Sequence, residues 1–287
     1  MLDIKLQNKE QLVENILPCK RTCSVFKRAF TVELFKLIKR KDTLLLFVGI
    51  VIPLFYSIGF ALHSNLLYVN SNLKSSAASF MAMQCITSSM TCIFHLIAGL
   101  YTARCYSTEI ENGSILLYVP RLQNRYAQYR AKLLSLFTVV ILSQIIIMAV
   151  TMLCYYLILV PTRPDLVSGL LGGPTIVGAT TALLLAGILS YLTSIIIVMS
   201  LNSYIKMIPS FVAFAGIIFV WQFIQNIPVL QFISPFYYIT QIGNLAEGQL
   251  TKLPLLVLLF ACILCFVFYV IIFTLLGIKK FKKRDLA

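Results

Sequence analysis

The chain has 287 residues, of which 59% are hydrophobic and only 12% charged. Soluble domains sit at about 45–50% apolar and about 25% charged, so this composition excludes a water-soluble globular fold and points to an integral membrane protein. The formal charge of +14 does not indicate nucleic acid, because the basic residues flank apolar runs instead of forming one basic aromatic face; they read as topology signals and contacts with anionic lipid.

Residues 1–24 are polar and mixed in charge, with Pro18 against a helix, and read as a cytoplasmic N-terminal extension. No apolar core of signal-peptide length is expected there. Over 25–43 the pattern changes. Phe26, Phe30, Leu34, Leu37 and Ile38 recur at spacings of three and four, with Lys27, Arg28, Lys36, Lys39, Arg40 and Lys41 between them. This predicts a basic amphipathic helix in the headgroup region, either an interfacial elbow or a plain juxtamembrane anchor, with Glu33 facing water or a partner.

Six apolar spans follow at 44–66, 77–103, 133–160, 176–200, 208–227 and 254–278, together a transmembrane domain over 44–278, with a basic tail at 279–287. Pro53 is expected to kink the first. The predicted fold is all-α. Lysine and arginine set the orientation: 21 lie in 1–43, 104–132, 201–207 and 279–287, and only Lys74, Arg163 and Lys252 lie in the opposite loops. Both termini and the 104–132 loop are therefore expected in the cytoplasm.

The 104–132 loop alone concentrates charge among the internal loops. Glu109 and Glu111 come first, then Asn112-Gly113, then Pro120, then Arg121, Arg125, Arg130 and Lys132. A short helix carrying Ile110, Leu116 and Leu117 beside the acids would offer an apolar face and an acidic edge. The alternative is a solvated loop that only anchors topology. On the opposite side, 161–175 holds three prolines and a Gly172-Gly173 pair and is expected to be irregular. Between spans five and six, Pro228 and Pro235 break a stretch too apolar for a free loop, which is expected at the outer interface with Tyr237 and Tyr238 as interfacial aromatics.

Chemistry is sparse. No phosphate loop of the Gly-x-x-x-x-Gly-Lys-Ser/Thr type and no His-Glu-x-x-His motif occurs, and no Asp or Glu falls within the six spans. That weighs against an ion-coupled carrier and an intramembrane protease. No catalytic residue and no metal site is expected. Cys262-x-x-Cys265 lies in an apolar run without histidine, and none of the eight cysteines falls in an outer segment, as for reduced thiols. The intramembrane polar candidates are His95 and Gln144, His95 being either functional or a neutral imidazole bonded to a neighbouring helix. Thr180, Thr181, Ser190, Thr193 and Ser194, with Gly178, Ala179, Ala186 and Gly187, read as close helix packing.

The order Glu, Asn112-Gly113, Leu117-x-x-Pro120-Arg121, a basic-aromatic patch and Ala131-Lys132 opening a span resembles the loop between spans two and three of type 2 ATP-binding-cassette exporter permeases. Glu33-Leu-Phe-Lys-Leu-Ile-Lys-Arg40 resembles the segment that leads into the first span of that family, and Ser234-Pro-Phe-Tyr-Tyr238 its outer re-entrant hairpin. The resemblance covers about 250 residues and implies a coupling helix containing Glu109, Ile110, Glu111, Asn112, Gly113, Leu116, Pro120 and Arg121. It implies an elbow helix with Phe26, Phe30, Glu33, Leu34 and Leu37, and an exit hairpin with Pro228, Pro235, Tyr237 and Tyr238. It further implies a bacterial plasma-membrane location, a second permease subunit (identical or different) and two copies of a separate ATPase subunit that carries ATP and Mg. The chain itself would bind no cofactor and would be no enzyme. Small permeases of this shape serve peptide-antibiotic export or self-immunity, so an amphipathic peptide or lipid-like cargo is expected. The alternatives are an energy-independent carrier and a non-transporting scaffold or sensor.

Overall fold

The computed structural model describes residues 26–62, 75–111, 125–246 and 254–283. Among them every regular element is helical, and the sole strand-like pairing is a parallel bridge between Ser75 and Val167. Helix α1 covers 26–39. A 3₁₀ segment, Lys41–Ile50, runs into α2, Val51–Ala61. Helices α3 (Ala77–Met90) and α4 (Ile93–Glu111) follow. Helix α5, Arg125–Cys154, continues through a π turn at Tyr155–Leu159 and a last turn at Val160–Thr162. Then come α6 (Pro174–Tyr204), α7 (Met207–Ile224), a 3₁₀ turn (Leu230–Ile233), α8 (Pro235–Ala246) and α9 (Leu255–Lys283).

Five of these helices are long and apolar enough to cross a membrane, and the α3–α4 pair makes six if it counts as one bent span. The chain is thus a polytopic helical membrane protein. Helix α6 is its axis: 78% of its most apolar stretch is buried, against 22% in α7 and 17% in α9. Its sequence explains the place. Hydroxyl and small residues such as Ala186, Gly187, Ser190, Ser194 and Ser203 let neighbours approach closely, whereas α7 and α9 carry large apolar side chains that suit lipid. A Cβ at Gly187 would sit 3.0 Å from Cys85 Sγ, while Gly178 meets nothing within 4 Å and plays no such part.

Two expected spans take a different form. The second is broken, with α3 and α4 meeting at 61° across Thr91-Cys92. No proline or glycine marks the site; Cys92 takes φ +55. The break leaves Met90 O without a helical donor, and Gln222 of α7 supplies one through Nε2 at 3.2 Å, with Cys92 Sγ at 3.0 Å from the same nitrogen. The first span passes from 3₁₀ to α geometry at Ile50–Val51, two residues before Pro53, without a break in the helix. The connection at 161–175 is irregular between Arg163 and Gly173, as expected, and backbone bonds hold it in place. Ser75 N and Ala77 N donate to Leu166 O and Leu170 O at 2.8 and 3.0 Å, and Gly172, at φ +123, brings the chain against Ser76, where a Cβ would lie 2.8 Å from Oγ.

Candidate functional site

The densest polar constellation lies at the lysine- and arginine-rich end of the bundle. It joins α1, the 3₁₀ segment, the end of α4 and the start of α5. Helix α4 runs on to Glu111 and α5 begins at Arg125, so the described residues of 104–132 form two helical arms. Helical continuation into this zone requires its charges to be paired.

Lys132 stands at the centre. Its side chain is 5% exposed, and its ammonium is bonded to Glu109 Oε2, lies 3.8 Å from Glu33 Oε2 and sits over the Tyr106 ring at 5.7 Å. Arg40 approaches Glu109 Oε1 at 3.6 Å and donates to Cys105 O and Thr108 Oγ1, both at 3.0 Å. Lys36 bonds Glu33 Oε1 at 3.0 Å, and Arg104 pairs with Asp42 at 3.4 Å. Ser135 Oγ donates to Ala131 O at 2.8 Å within α5 and lies 3.3 Å from Phe30 O, where α1 passes close to α5. Buried charges persist only when paired and hydrogen-bonded, so the cluster ties α1 to both arms in one register.

This corrects two expectations. Glu33 does not face water or a partner. Ala29, Glu33 and Leu37 form the buried stripe of α1, at i, i+4 and i+8, while Ile38 is exposed. Phe26, Phe30 and Leu34 flank that stripe half-buried. Glu109 is engaged within the chain, so it is not an open docking charge. Glu111 closes α4, while the side chains of Ile110 and Glu111, and residues 112–124 with Asn112, Gly113, Leu116, Pro120 and Arg121, lie outside the described residues.

At the other end of α7 the chain turns back. Pro228 sits in this turn, and Val229 takes φ +76. Ser234 Oγ donates to Trp221 O at 3.0 Å, and Tyr269 OH donates to Ile233 O at 3.1 Å, so the 3₁₀ turn has returned to the level of Trp221. Pro235 then opens α8, which leaves again with Phe236, Ile239 and Ile242 fully buried. The proline is favoured there because a first-turn residue needs no N–H partner. Tyr237 is half-buried, but Tyr238 is buried and donates to Phe232 O at 2.8 Å. Tyr238 therefore closes the turn from inside and is no interfacial aromatic.

His95 is fully buried between Tyr191 and Phe236, with ring centroids at 4.6 and 4.8 Å. Ser190 Oγ donates to Gly187 O at 2.8 Å, so at 3.0 Å it accepts from His95 Nε2, and Nδ1 faces no partner. The arrangement matches an imidazole bonded to a neighbouring helix. Gln144 lines a cavity of about 10 Å³ with Gln84, Ser88 and Thr151 beside Gly49 and Pro53. That volume is at the lower limit for a single water. Among the described residues no group of three His, Cys, Asp or Glu is placed to hold a metal, and six cysteines are free thiols. Neither a protein-family model nor any curated protein matches this chain.

Proposed function

We propose that the chain is the membrane subunit of a type 2 ATP-binding-cassette exporter. In this reading it lies in a bacterial plasma membrane with both termini in the cytoplasm, pairs with a second permease subunit, and takes work from two ATPase subunits that bind ATP and Mg. The observation that carries the reading is the buried charge cluster. Segment 112–124 leaves from α4 and returns through α5, and Lys132, Glu109, Glu33 and Arg40 lock both of these arms to α1. A chain without a phosphate loop receives work only through contact, and a push on a segment held at both ends is passed to α1 and the spans instead of being absorbed locally. The hairpin of residues 225–246 closes the opposite end around His95, Trp221 and Tyr269. Apolar spans without Asp or Glu suit an amphipathic peptide or lipid-like cargo.

The test places a photo-crosslinker at Leu116 in the full chain, in its own cell. The reading expects a cross-link to a phosphate-loop ATPase, and substrate-stimulated ATP hydrolysis by the purified complex that falls in Lys132→Met although the complex still assembles. A chain that transports without any ATPase, or a Leu116 cross-linked only to lipid, refutes it.

A further inference from the structure

A groove of about 390 Å³ runs between α5 and α9 at the basic end, closed at one side by Phe26 of α1. Its walls are apolar, with Leu133, Leu134 and Phe137 on α5 and Val270, Ile271 and Leu275 on α9. Arg130 stands at one end, and no carboxylate is among the described residues that line the groove. Leu134, Ile271 and Leu275 are 43%, 54% and 63% exposed, so the groove opens sideways toward lipid. Thr274 also belongs to the lining, and its Oγ1 is buried without a hydrogen-bond partner.

We propose that this groove is a binding site for an anionic phospholipid, with one acyl chain between α5 and α9 and the phosphate at Arg130. Length supports this occupant. From Val270 to Ile278 the α9 wall extends about 12 Å at the helical rise, and one leaflet of hydrocarbon is about 15 Å deep. Spread over that length the groove is less than about 10 Å across, a width that takes a hydrocarbon chain. Charge supports the headgroup. Arg130 is exposed, as are Lys27 and Arg28 on α1 and Lys279 and Lys280 on α9, the two helices that flank it. An arginine fork takes phosphate oxygens in two parallel bonds. The site stands independently of what the protein transports.

The test is native mass spectrometry of the full chain in neutral detergent, titrated in turn with phosphatidylglycerol and with phosphatidylcholine of the same acyl chains. One phosphatidylglycerol is expected to remain bound where phosphatidylcholine is lost. One basic group is worth about fivefold in affinity for anionic lipid, so Arg130→Gln is expected to lower the phosphatidylglycerol affinity about fivefold, while Arg130→Lys keeps most of it. Leu134→Trp, which fills the groove, is expected to remove both lipids. Equal retention of the two lipids, or wild-type preference in Arg130→Gln and Leu134→Trp, overturns the proposal. So does a lipid-free dimer that Leu134→Trp dissociates, which would make the groove a protein interface.

Discussion

Replacing Lys132 with methionine keeps the length of the side chain and removes its charge. Glu109 Oε2 and Glu33 Oε2 then share a buried site from which the central cation is missing. Breaking a buried ion pair from one side costs about 3–5 kcal/mol, because the remaining charge stays desolvated. Two cations remain: Arg40 at 3.6 Å from Glu109 and Lys36 at 3.0 Å from Glu33, each with about a quarter of its side chain exposed. Partly exposed pairs of this kind offset about 1 kcal/mol or less. The expected loss is therefore about 3 kcal/mol, read from reversible unfolding of the full chain in mixed detergent micelles. A double-mutant cycle with Glu109→Gln sharpens the test. The double variant should lose less than the sum of the singles by about 0.5–3 kcal/mol, since both remove one interaction. A Lys132→Met protein within about 0.5 kcal/mol of wild type, or strict additivity in the cycle, would refute the view that this cluster clamps the arms.

Other expectations follow from the same packing. A Cβ at Gly99 would lie 2.3 Å from the Phe214 ring, so Gly99→Ala forces α4 and α7 apart and should cost about 1–3 kcal/mol, recovered in part by Phe214→Leu; an unchanged Gly99→Ala protein would contradict the close approach. Both amide atoms of Gln84 are buried without a partner, so Gln84→Met should be neutral or stabilising by up to about 1–3 kcal/mol, and a loss beyond about 1 kcal/mol would show that the amide is hydrogen-bonded, for instance through a water shared with Gln144. The 21-to-3 division of basic residues sets the topology, so an impermeant thiol reagent added outside intact cells should label Lys74→Cys and Arg163→Cys and spare Arg121→Cys and Lys283→Cys; the reverse pattern would invert the orientation.

Span content was legible because it rests on composition. Long apolar runs flanked by lysine and arginine need no knowledge of partners, and the described helices cover each of the six expected stretches in whole or part. What was missed depends on contacts across the fold. The break at Thr91-Cys92 has no proline or glycine to mark it, and the group that satisfies Met90 O there, Gln222, is distant in sequence. Glu33 looked solvent-facing because its cation, Lys132, lies far along the chain. One signal was present: Glu33 shares the i, i+4, i+8 stripe with Ala29 and Leu37, and an acid in an otherwise apolar stripe marks a buried pair. Tyr237 and Tyr238 read alike as aromatics in sequence, but neighbouring helical residues point about 100° apart, and only Tyr238 turns inward to bond Phe232 O. The cluster at the basic end was anticipated as charge but not as closure, since pairing is decided by the approach of α1, α4 and α5.

In the proposed function, movement through this membrane domain is driven by ATP hydrolysed on a partner and delivered through the arms that Lys132 clamps. The most direct measurement is transport of a candidate amphipathic peptide into sealed inverted vesicles holding the purified complex, with and without MgATP. Uptake is expected to need MgATP, to stop when the phosphate-loop lysine of the ATPase is replaced, and to fall in Lys132→Met while the complex stays assembled. Uptake that proceeds down the peptide gradient without nucleotide, and equally well with this chain alone, would contradict the account and make the protein an energy-independent carrier.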